Sequence, residues 1–231
     1  MTPEILDEKM TLFLNELETD YEIAFEIRNI NHAECYFKNN KATIFYDPKK
    51  TNIESIAHEL LHVWLKKFNY SIGNHIYLCC ASDPKLGKIF SKNLCDHIGN
   101  CFDHFKMYPK YLEMGYSPER FIANSLEEQC SVNDIEEMKF KKFLVYNSDS
   151  IDKFIGYLIS IYADHMSRDY SIHIEKMKTI NATLFNIVTK FWNEWTKFDI
   201  ENVDPIFNSD TELVDNFISD VEDWTNRKIL K

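Results

Sequence analysis

Residues 51–68 read TNIESIAHELLHVWLKKF, and this stretch decides how the chain folds around its most informative motif. Apolar residues recur every three or four positions, which is the spacing that places a broad apolar face of a helix against a core. Thr51 and Glu54 have the spacing of a capping box, in which each side chain accepts a hydrogen bond from the backbone N–H of the other residue. The sequence therefore predicts an amphipathic helix from about Thr51 to about Phe68.

His58 and His62 lie four residues apart in this helix and enclose Glu59, so the helix carries the pattern H-E-x-x-H. Side chains four residues apart project from the same helical face, and both imidazoles can therefore bind one zinc ion. Zinc lowers the pKa of a bound water to roughly 7 and polarises a substrate carbonyl. Glu59 can take the proton of that water during attack and pass it to the leaving amine. The pattern predicts His58 and His62 as zinc ligands and Glu59 as the general base.

The stretch Ile56–Trp64 resembles the active-site helix of the zincins, a superfamily of zinc metallopeptidases. The resemblance implies an edge strand beside this helix that pairs with extended peptide substrate, and Ala42–Tyr46 precedes the helix where that strand is expected. Metzincins carry a glycine and a third histidine at the positions of Leu65 and Phe68, so that subgroup is excluded. The resemblance then implies a compact gluzincin-like or minimal zincin, whose third ligand comes from a later helix.

The candidate segment for the third ligand is residues 93–104, which read NLCDHIGNCFDH. His97 and His104 fall on one stripe of a predicted helix, and Asp96 and Asp103 form a neighbouring stripe. His104 ranks first because its surroundings resemble the N-x-x-x-H segment of small bacterial zincin-like proteins. His97 ranks second, and the two aspartates follow.

Other polar residues are assigned simpler roles. The remaining histidines lack ligand spacing and are expected to be structural or surface residues: His32, His75, His165 and His173. Tyr108 and Tyr116 are candidates for stabilising the transition state, but the sequence does not choose between them. The six cysteines contain no C-x-x-C pair and are expected to be reduced and buried.

The predicted fold class is α+β. A helix over residues 3–19 is followed by three strand candidates at residues 21–27, 32–37 and 42–46, with a turn at residues 38–41. Residues 69–88 are less regular. A second long helix is expected from Ser91 to about Phe105, with an interruption at Tyr108–Pro109 and a stop at Gly115–Tyr116. A further helix begins at Ser117–Pro118. The expected architecture is a small antiparallel sheet of about three strands packed on the H-E-x-x-H helix, followed by a largely helical C-terminal portion. We expect a zincin-like core over residues 1–147 and a helical extension over residues 148–231, or one single domain.

The composition narrows the function classes. A net charge of -11 with scattered basic residues disfavours a nucleic-acid partner. Residues 1–18 have no basic start followed by an apolar block, and no apolar run reaches the roughly 20 residues that span a bilayer. We therefore expect a cytoplasmic protein without a membrane partner; its oligomeric state is left open.

The predicted function is a zinc-dependent metallopeptidase that hydrolyses a peptide bond of an intracellular peptide or protein. The alternative is a catalytically silent zincin-fold binding or regulatory protein whose metal is structural or absent. A metal-dependent hydrolase of a non-peptide amide is a third option. An intact Glu59 favours the enzyme, because a pure scaffold has no use for a general base at that position.

Overall fold

A computed structural model describes residues 6–142, 145–202, 210–226 and 228–231. The protein is α+β, with about 59% helix, which confirms the predicted fold class. The helices are α1 (Glu8–Leu17), α2 (Ile53–Leu65), α3 (Ile72–Cys80), α4 (Leu86–Ile89), α5 (Lys92–Glu113), α6 (Val132–Glu136), α7 (Ser148–Ala163), α8 (Ser171–Ile180), α9 (Ala182–Lys197) and α10 (Asp210–Thr225). Short 3-10 helices span Lys66–Phe68 and Pro118–Arg120. The strands are β1 (Glu22–Ile27), β2 (Glu34–Lys38), β3 (Lys41–Tyr46), β4 (Lys141–Lys142), β5 (Val145–Tyr146) and β6 (Ile229–Leu230).

The chain forms two compact units, each built from two separate stretches of sequence. The first unit contains Met1–Asn69 and Phe105–Glu127, and the second contains Tyr70–His104 and Glu128–Lys231. Residues 70–104 group with the C-terminal helices because α3 packs against α10 and α4 packs against α7. The division falls inside α5, between His104 and Phe105.

The sheet of the first unit is mixed rather than antiparallel as expected. Its strand order is β1-β3-β2, with β2 antiparallel to β3 and β1 parallel to β3. The turn between β2 and β3 contains Asn39 at a φ of 56°, as the asparagines of this segment predicted. Alternating apolar residues identify strands, but they do not reveal the direction of a neighbour that is distant in sequence. The alternation of apolar residues therefore could not predict that β1 pairs in parallel.

Helix α2 begins one residue later than the capping box predicted. Asn52 is the N-cap, and its Oδ1 accepts a hydrogen bond from the Ser55 N–H at 2.8 Å. The Thr51 hydroxyl oxygen instead accepts a hydrogen bond from the Asp47 N–H at 3.0 Å. The capping-box prediction was wrong because two adjacent residues are both competent caps, and the preceding turn occupies the first of them. The buried face agrees with the predicted helix and comprises Ile56, Ala57, Leu60, Leu61, Val63, Trp64 and Leu65.

Helix α5 continues through Pro109, so the predicted interruption at Tyr108–Pro109 was wrong. Proline in a helix interior costs about 3 kcal/mol, because it removes one backbone donor and crowds the preceding turn. Met107 and Tyr111 flank it and are fully buried, which offsets that cost through packing. The helix stops at Gly115, whose φ of 82° favours glycine.

Two further segments differ from expectation. The stretch at residues 69–88 contains α3 and α4, although its sequence lacks a clean helical period. Ser117–Pro118 begins only the short 3-10 helix Pro118–Arg120, not a longer α-helix. Residues 3–5 of the helix predicted over residues 3–19 lie outside the described residues, and the helix of the structure is Glu8–Leu17.

The second unit has an aromatic core. Phe102 stacks on Trp195 with ring centroids 5.1 Å apart, and Phe191 stacks on Phe217 at 4.0 Å. The Trp195 Nε1–H donates to the Phe102 carbonyl oxygen at 3.2 Å, so the buried indole keeps its hydrogen bond. In the described part of the chain, no helix has both the length and the apolar character needed to cross a membrane.

Candidate metal centre

The structure brings His58, His62 and His104 together. Each residue offers one imidazole nitrogen, and the three nitrogens lie within 4.8 Å of one another. The rings of His58 and His62 are 5.0 Å apart at their centroids, as their four-residue spacing on α2 predicted. All three side chains are half-buried. Three imidazoles whose nitrogens lie this close together are the donor set of a zinc site with an open fourth position.

Within the first unit, the part of α5 that follows His104 lies beside α2. Lys110 of α5 lies with its Nζ 5.2 Å from the ring centroid of Trp64 in α2. The Phe121 ring contacts both His58 and Tyr108, at centroid distances of 5.1 Å in each case. His104 precedes Tyr108 by four residues, so it projects from the same face of α5 one turn earlier.

His97 does not join this cluster. Its Nε2 lies 2.8 Å from the Ser160 hydroxyl and 3.3 Å from the Gly156 carbonyl oxygen, both on α7. His97 and His104 do share a helical stripe, but seven residues separate them by about 10.5 Å along the helix axis. That distance is too long for both imidazoles to bind one ion.

The two aspartates of the same segment have other neighbours. Asp96 forms an ion pair with Lys92 one turn earlier on α5. Asp103 lies beside Tyr70, where burial of the phenol and the negative charge of Asp103 raise the pKa of Tyr70. Among the ligand candidates from residues 93–104, the structure therefore places only His104 in the described three-residue cluster with His58 and His62.

Glu59 is held by the backbone of strand β2. Its carboxylate accepts a hydrogen bond from the Cys35 N–H, and it lies close enough to His62 for the two to interact electrostatically. Burial raises the pKa of Glu59 to about 7; His62 and the Cys35 N–H oppose this shift, and Glu34 adds to it. One turn earlier on α2, the Ser55 hydroxyl accepts a hydrogen bond from the Ala33 N–H at 2.8 Å. These two bonds tie α2 to Cys35 of β2 and to Ala33, the residue just before that strand.

The edge strand nearest the cluster is β2, not Ala42–Tyr46. That predicted edge strand forms most of β3, which pairs with β1 on one side and β2 on the other. The prediction was wrong because a strand's position within a sheet depends on its partners, whereas the sequence showed only that the segment precedes the helix.

The structure also separates the two tyrosine candidates. The Tyr116 hydroxyl donates to Asp7 Oδ2 at 3.3 Å. Tyr108 contacts Phe121, which in turn contacts His58. Tyr108 is therefore the tyrosine of this pair that lies nearer the cluster.

A second group of ligand-type side chains was not predicted. His75 and Cys79 of α3 and Asp215 of α10 each offer one ligand atom, and these atoms also lie within 4.8 Å of one another. The four-residue spacing of His75 and Cys79 was a readable signal, but nothing local points to Asp215. Cys79 is also exposed, contrary to the expectation of burial. Cys80, Cys95, Cys101 and Cys130 are buried, Cys35 is half-buried, and all six cysteines are free.

Comparisons with protein-family profiles, with curated proteins and with solved structures found no match. Function is therefore inferred from the residues of this chain and their geometry.

Proposed function

We propose that this protein is a zinc-dependent metallopeptidase of zincin type that hydrolyses a peptide bond of an intracellular peptide or protein. The observation that carries the proposal is the convergence of His58, His62 and His104, with the Glu59 carboxylate beside His62. The alternative, a silent binding protein of the same fold, is retained as an outcome of the test.

The donor set fits zinc. Imidazole nitrogens bind zinc at about 2.0–2.1 Å, and three protein ligands leave a fourth position open in catalytic sites. The proposed ligands are His58 and His62 from α2 and His104 from α5. When bound there, zinc supplies an acidified water and polarises the carbonyl that is attacked.

Glu59 is the proposed general base. The hydrogen bond from the Cys35 N–H orients its carboxylate, so that little rearrangement is needed before proton transfer. Glu59 accepts a proton from the attacking water and delivers it to the amine that leaves. Its position next to the first ligand places the carboxylate at the margin of the same helical face.

The proposed substrate site lies along β2. This strand is at the edge of the sheet, and its Cys35 N–H is already bonded to Glu59 of α2, so a peptide pairs with the backbone groups of β2 beyond Cys35. Tyr36 on this strand is 58% exposed and is available to contact a peptide. An extended peptide that adds to an edge strand gains main-chain hydrogen bonds with little dependence on sequence.

The test compares Glu59→Gln with the natural protein on a library of diverse peptides, with cleavage read by mass spectrometry and zinc measured on the same samples. We expect cleavage by the zinc-loaded protein and a loss of about 10²–10⁴-fold in Glu59→Gln, because general-base catalysis contributes that much. Zinc content should stay the same, since Glu59 is not a ligand.

Glu54→Gln is the matched control on the same helix, because Glu54 pairs with Arg120 rather than with the histidines. This variant should retain both zinc and cleavage. Equal cleavage by Glu59→Gln and the natural protein would contradict the assigned base. Zinc binding without cleavage in every sample would favour the binding protein.

A further inference from the structure

The second cluster of ligand-type side chains lies on the helix pair α3 and α10. The Nε2 of His75 is 3.6 Å from Asp215 Oδ1, and the Sγ of Cys79 is 4.0 Å from the same oxygen. His75 and Cys79 are four residues apart on α3, so both project toward α10 from one face. These three side chains take no part in the proposed peptidase site.

Helices α3 and α10 run side by side in the same direction. The Ser71 N–H, just before α3, donates to Asp210 Oδ2 at the start of α10 at 3.1 Å. Beyond the end of α3, the Lys85 Nζ donates to the Thr225 carbonyl oxygen at the end of α10 at 3.4 Å. The cluster lies between these two polar contacts, so both ends of the helix pair are already fixed around it.

We propose that His75, Cys79 and Asp215 form a second metal site that takes Zn²⁺ or a similar thiolate-preferring divalent cation. Tetrahedral bonds of about 2.0–2.3 Å place neighbouring ligand atoms roughly 3.3–3.7 Å apart. The two separations to Asp215 Oδ1 are 3.6 and 4.0 Å, and all three ligand atoms lie within 4.8 Å of one another, so shifts of about 1 Å or less bring them to that spacing.

The donor chemistry distinguishes this cluster from an ordinary surface ion pair. An imidazole and a carboxylate can form an ion pair by themselves. A thiol on the same face adds a soft ligand, which binds zinc in preference to magnesium or calcium. On binding, the Cys79 thiol gives up its proton to water and the thiolate bonds to the metal. Water completes the fourth position.

A metal ion bound at this site links α3 to α10. A metal that binds the folded arrangement and not the unfolded chain stabilises the fold in proportion to the logarithm of its concentration relative to the dissociation constant. Helix α3 has no carboxylate next to His75, where α2 has Glu59, so the site lacks the base that hydrolysis requires. Its role is therefore structural or regulatory.

The experiment is a Co²⁺ titration of the full chain, followed by absorption spectroscopy and by zinc stoichiometry on the same preparations. A thiolate ligand gives bound Co²⁺ a near-ultraviolet charge-transfer band, whereas the His58, His62 and His104 cluster has no thiolate. We expect two metal equivalents in the natural protein. Cys79→Ser should lose the band, and His75→Ala and Asp215→Asn should weaken metal binding at this site by about 100-fold or more, because even outer-shell changes cost 10–100-fold.

Control variants distinguish a metal site at Cys79 from thiolate binding elsewhere in the chain. Asn74→Ala, an exposed neighbour on α3, and Cys35→Ser, the half-buried thiol, should both retain the band. His62→Ala should lose one equivalent and retain the band, so failure of the peptidase site does not remove the signal. A band that persists in Cys79→Ser, or a natural protein with no thiolate band, would overturn the proposal and leave a surface hydrogen-bonded cluster.

Discussion

Helices α2 and α3 each present two ligand-type side chains four residues apart, and each meets a third from a distant helix. The difference lies in what surrounds the pair. Helix α2 carries Glu59, which is bonded to the edge strand β2, whereas α3 has only Ile76, Tyr77 and Leu78 between its ligands. Under the two proposals, i, i+4 spacing and one distant residue bind a metal ion at both sites, but hydrolysis also needs a fixed base and a place for substrate.

The largest expected effect comes from His62→Ala, which removes a proposed zinc ligand on α2. We expect peptide cleavage to fall by more than about 100-fold, because changes in the outer shell of a metal site already cost 10–100-fold. Zinc should fall by one equivalent, as measured by metal analysis alongside the cleavage assay.

Lys66→Ala, an exposed change just after the last turn of α2, is the control for His62→Ala. It should behave as the natural protein does in both measurements. If His62→Ala retained its full metal content, α2 would not be the helix that gathers the catalytic ion, and the comparison with α3 would fail.

The features that could be predicted from the sequence were those determined by residues adjacent along the chain. The H-E-x-x-H helix, the turn at Asn39 and the stop at Gly115 each depend on a few consecutive side chains. Parallel pairing of β1 and the central position of β3 depend on contacts distant in sequence, which local patterns do not encode.

The same distinction applies to the sites. Geometry along one helix gave His58 and His62, and resemblance placed His104 ahead of His97. Only the folded chain showed that His97 faces α7 and that Asp215 meets α3. The prediction of an interruption at Pro109 failed for a related reason, since burial of Met107 and Tyr111 outweighs a local preference.

The next effect, in stability, comes from Asp164→Asn in the second unit, which belongs to neither cluster. The Asp164 side chain is 2% exposed and accepts hydrogen bonds from Arg168 at 2.7 Å and from Tyr170 at 2.7 Å. Burial opposes its ionisation, but Tyr170, the Met166 N–H and Arg168 outweigh it and hold the pKa of Asp164 below its ordinary value. We expect a loss of about 1–3 kcal/mol at neutral pH, measured by urea unfolding, because charged hydrogen bonds are lost.

The pH dependence of this contribution has a definite sign. A depressed carboxyl pKa stabilises the fold above the unfolded value, about 3.9, and this stability is lost as the pH falls through the folded value. In metal-free samples, the natural protein should therefore exceed Asp164→Asn in its free energy of unfolding by less in acid than at neutral pH. A constant difference between the two proteins at all pH values would contradict the assignment. The same unfolding measurements on metal-free and metal-loaded protein then give the part of the stability loss in acid that comes from the two proposed metal clusters.

His97→Ala should have a smaller effect and tests the choice of third ligand. Loss of its hydrogen bond to Ser160 should cost about 0.5–1.5 kcal/mol in urea unfolding, with zinc content unchanged. Ser160→Ala removes the same bond from the other side and should reproduce that cost. A loss of one zinc equivalent in His97→Ala would transfer the ligand role from His104 to His97.

The smallest expected effect is that of Arg120→Ala. Arg120 Nη1 lies 3.4 Å from Glu54 Oε1 in the first turn of α2, and the arginine side chain is 59% exposed. An exposed pair of this kind contributes about 0.2–1 kcal/mol and is screened by salt, so the difference in urea unfolding should vanish at high ionic strength.

Phe121, the next residue, contacts His58 through its ring, and this apolar contact does not depend on the ion pair. Zinc affinity should therefore be unchanged in Arg120→Ala. A different outcome is a weaker zinc affinity in Arg120→Ala, together with an equal loss of affinity when high salt is added to the natural protein. That outcome would show that surface charge positions α2. Helices α2 and α3 would then differ in electrostatics outside the ligands as well.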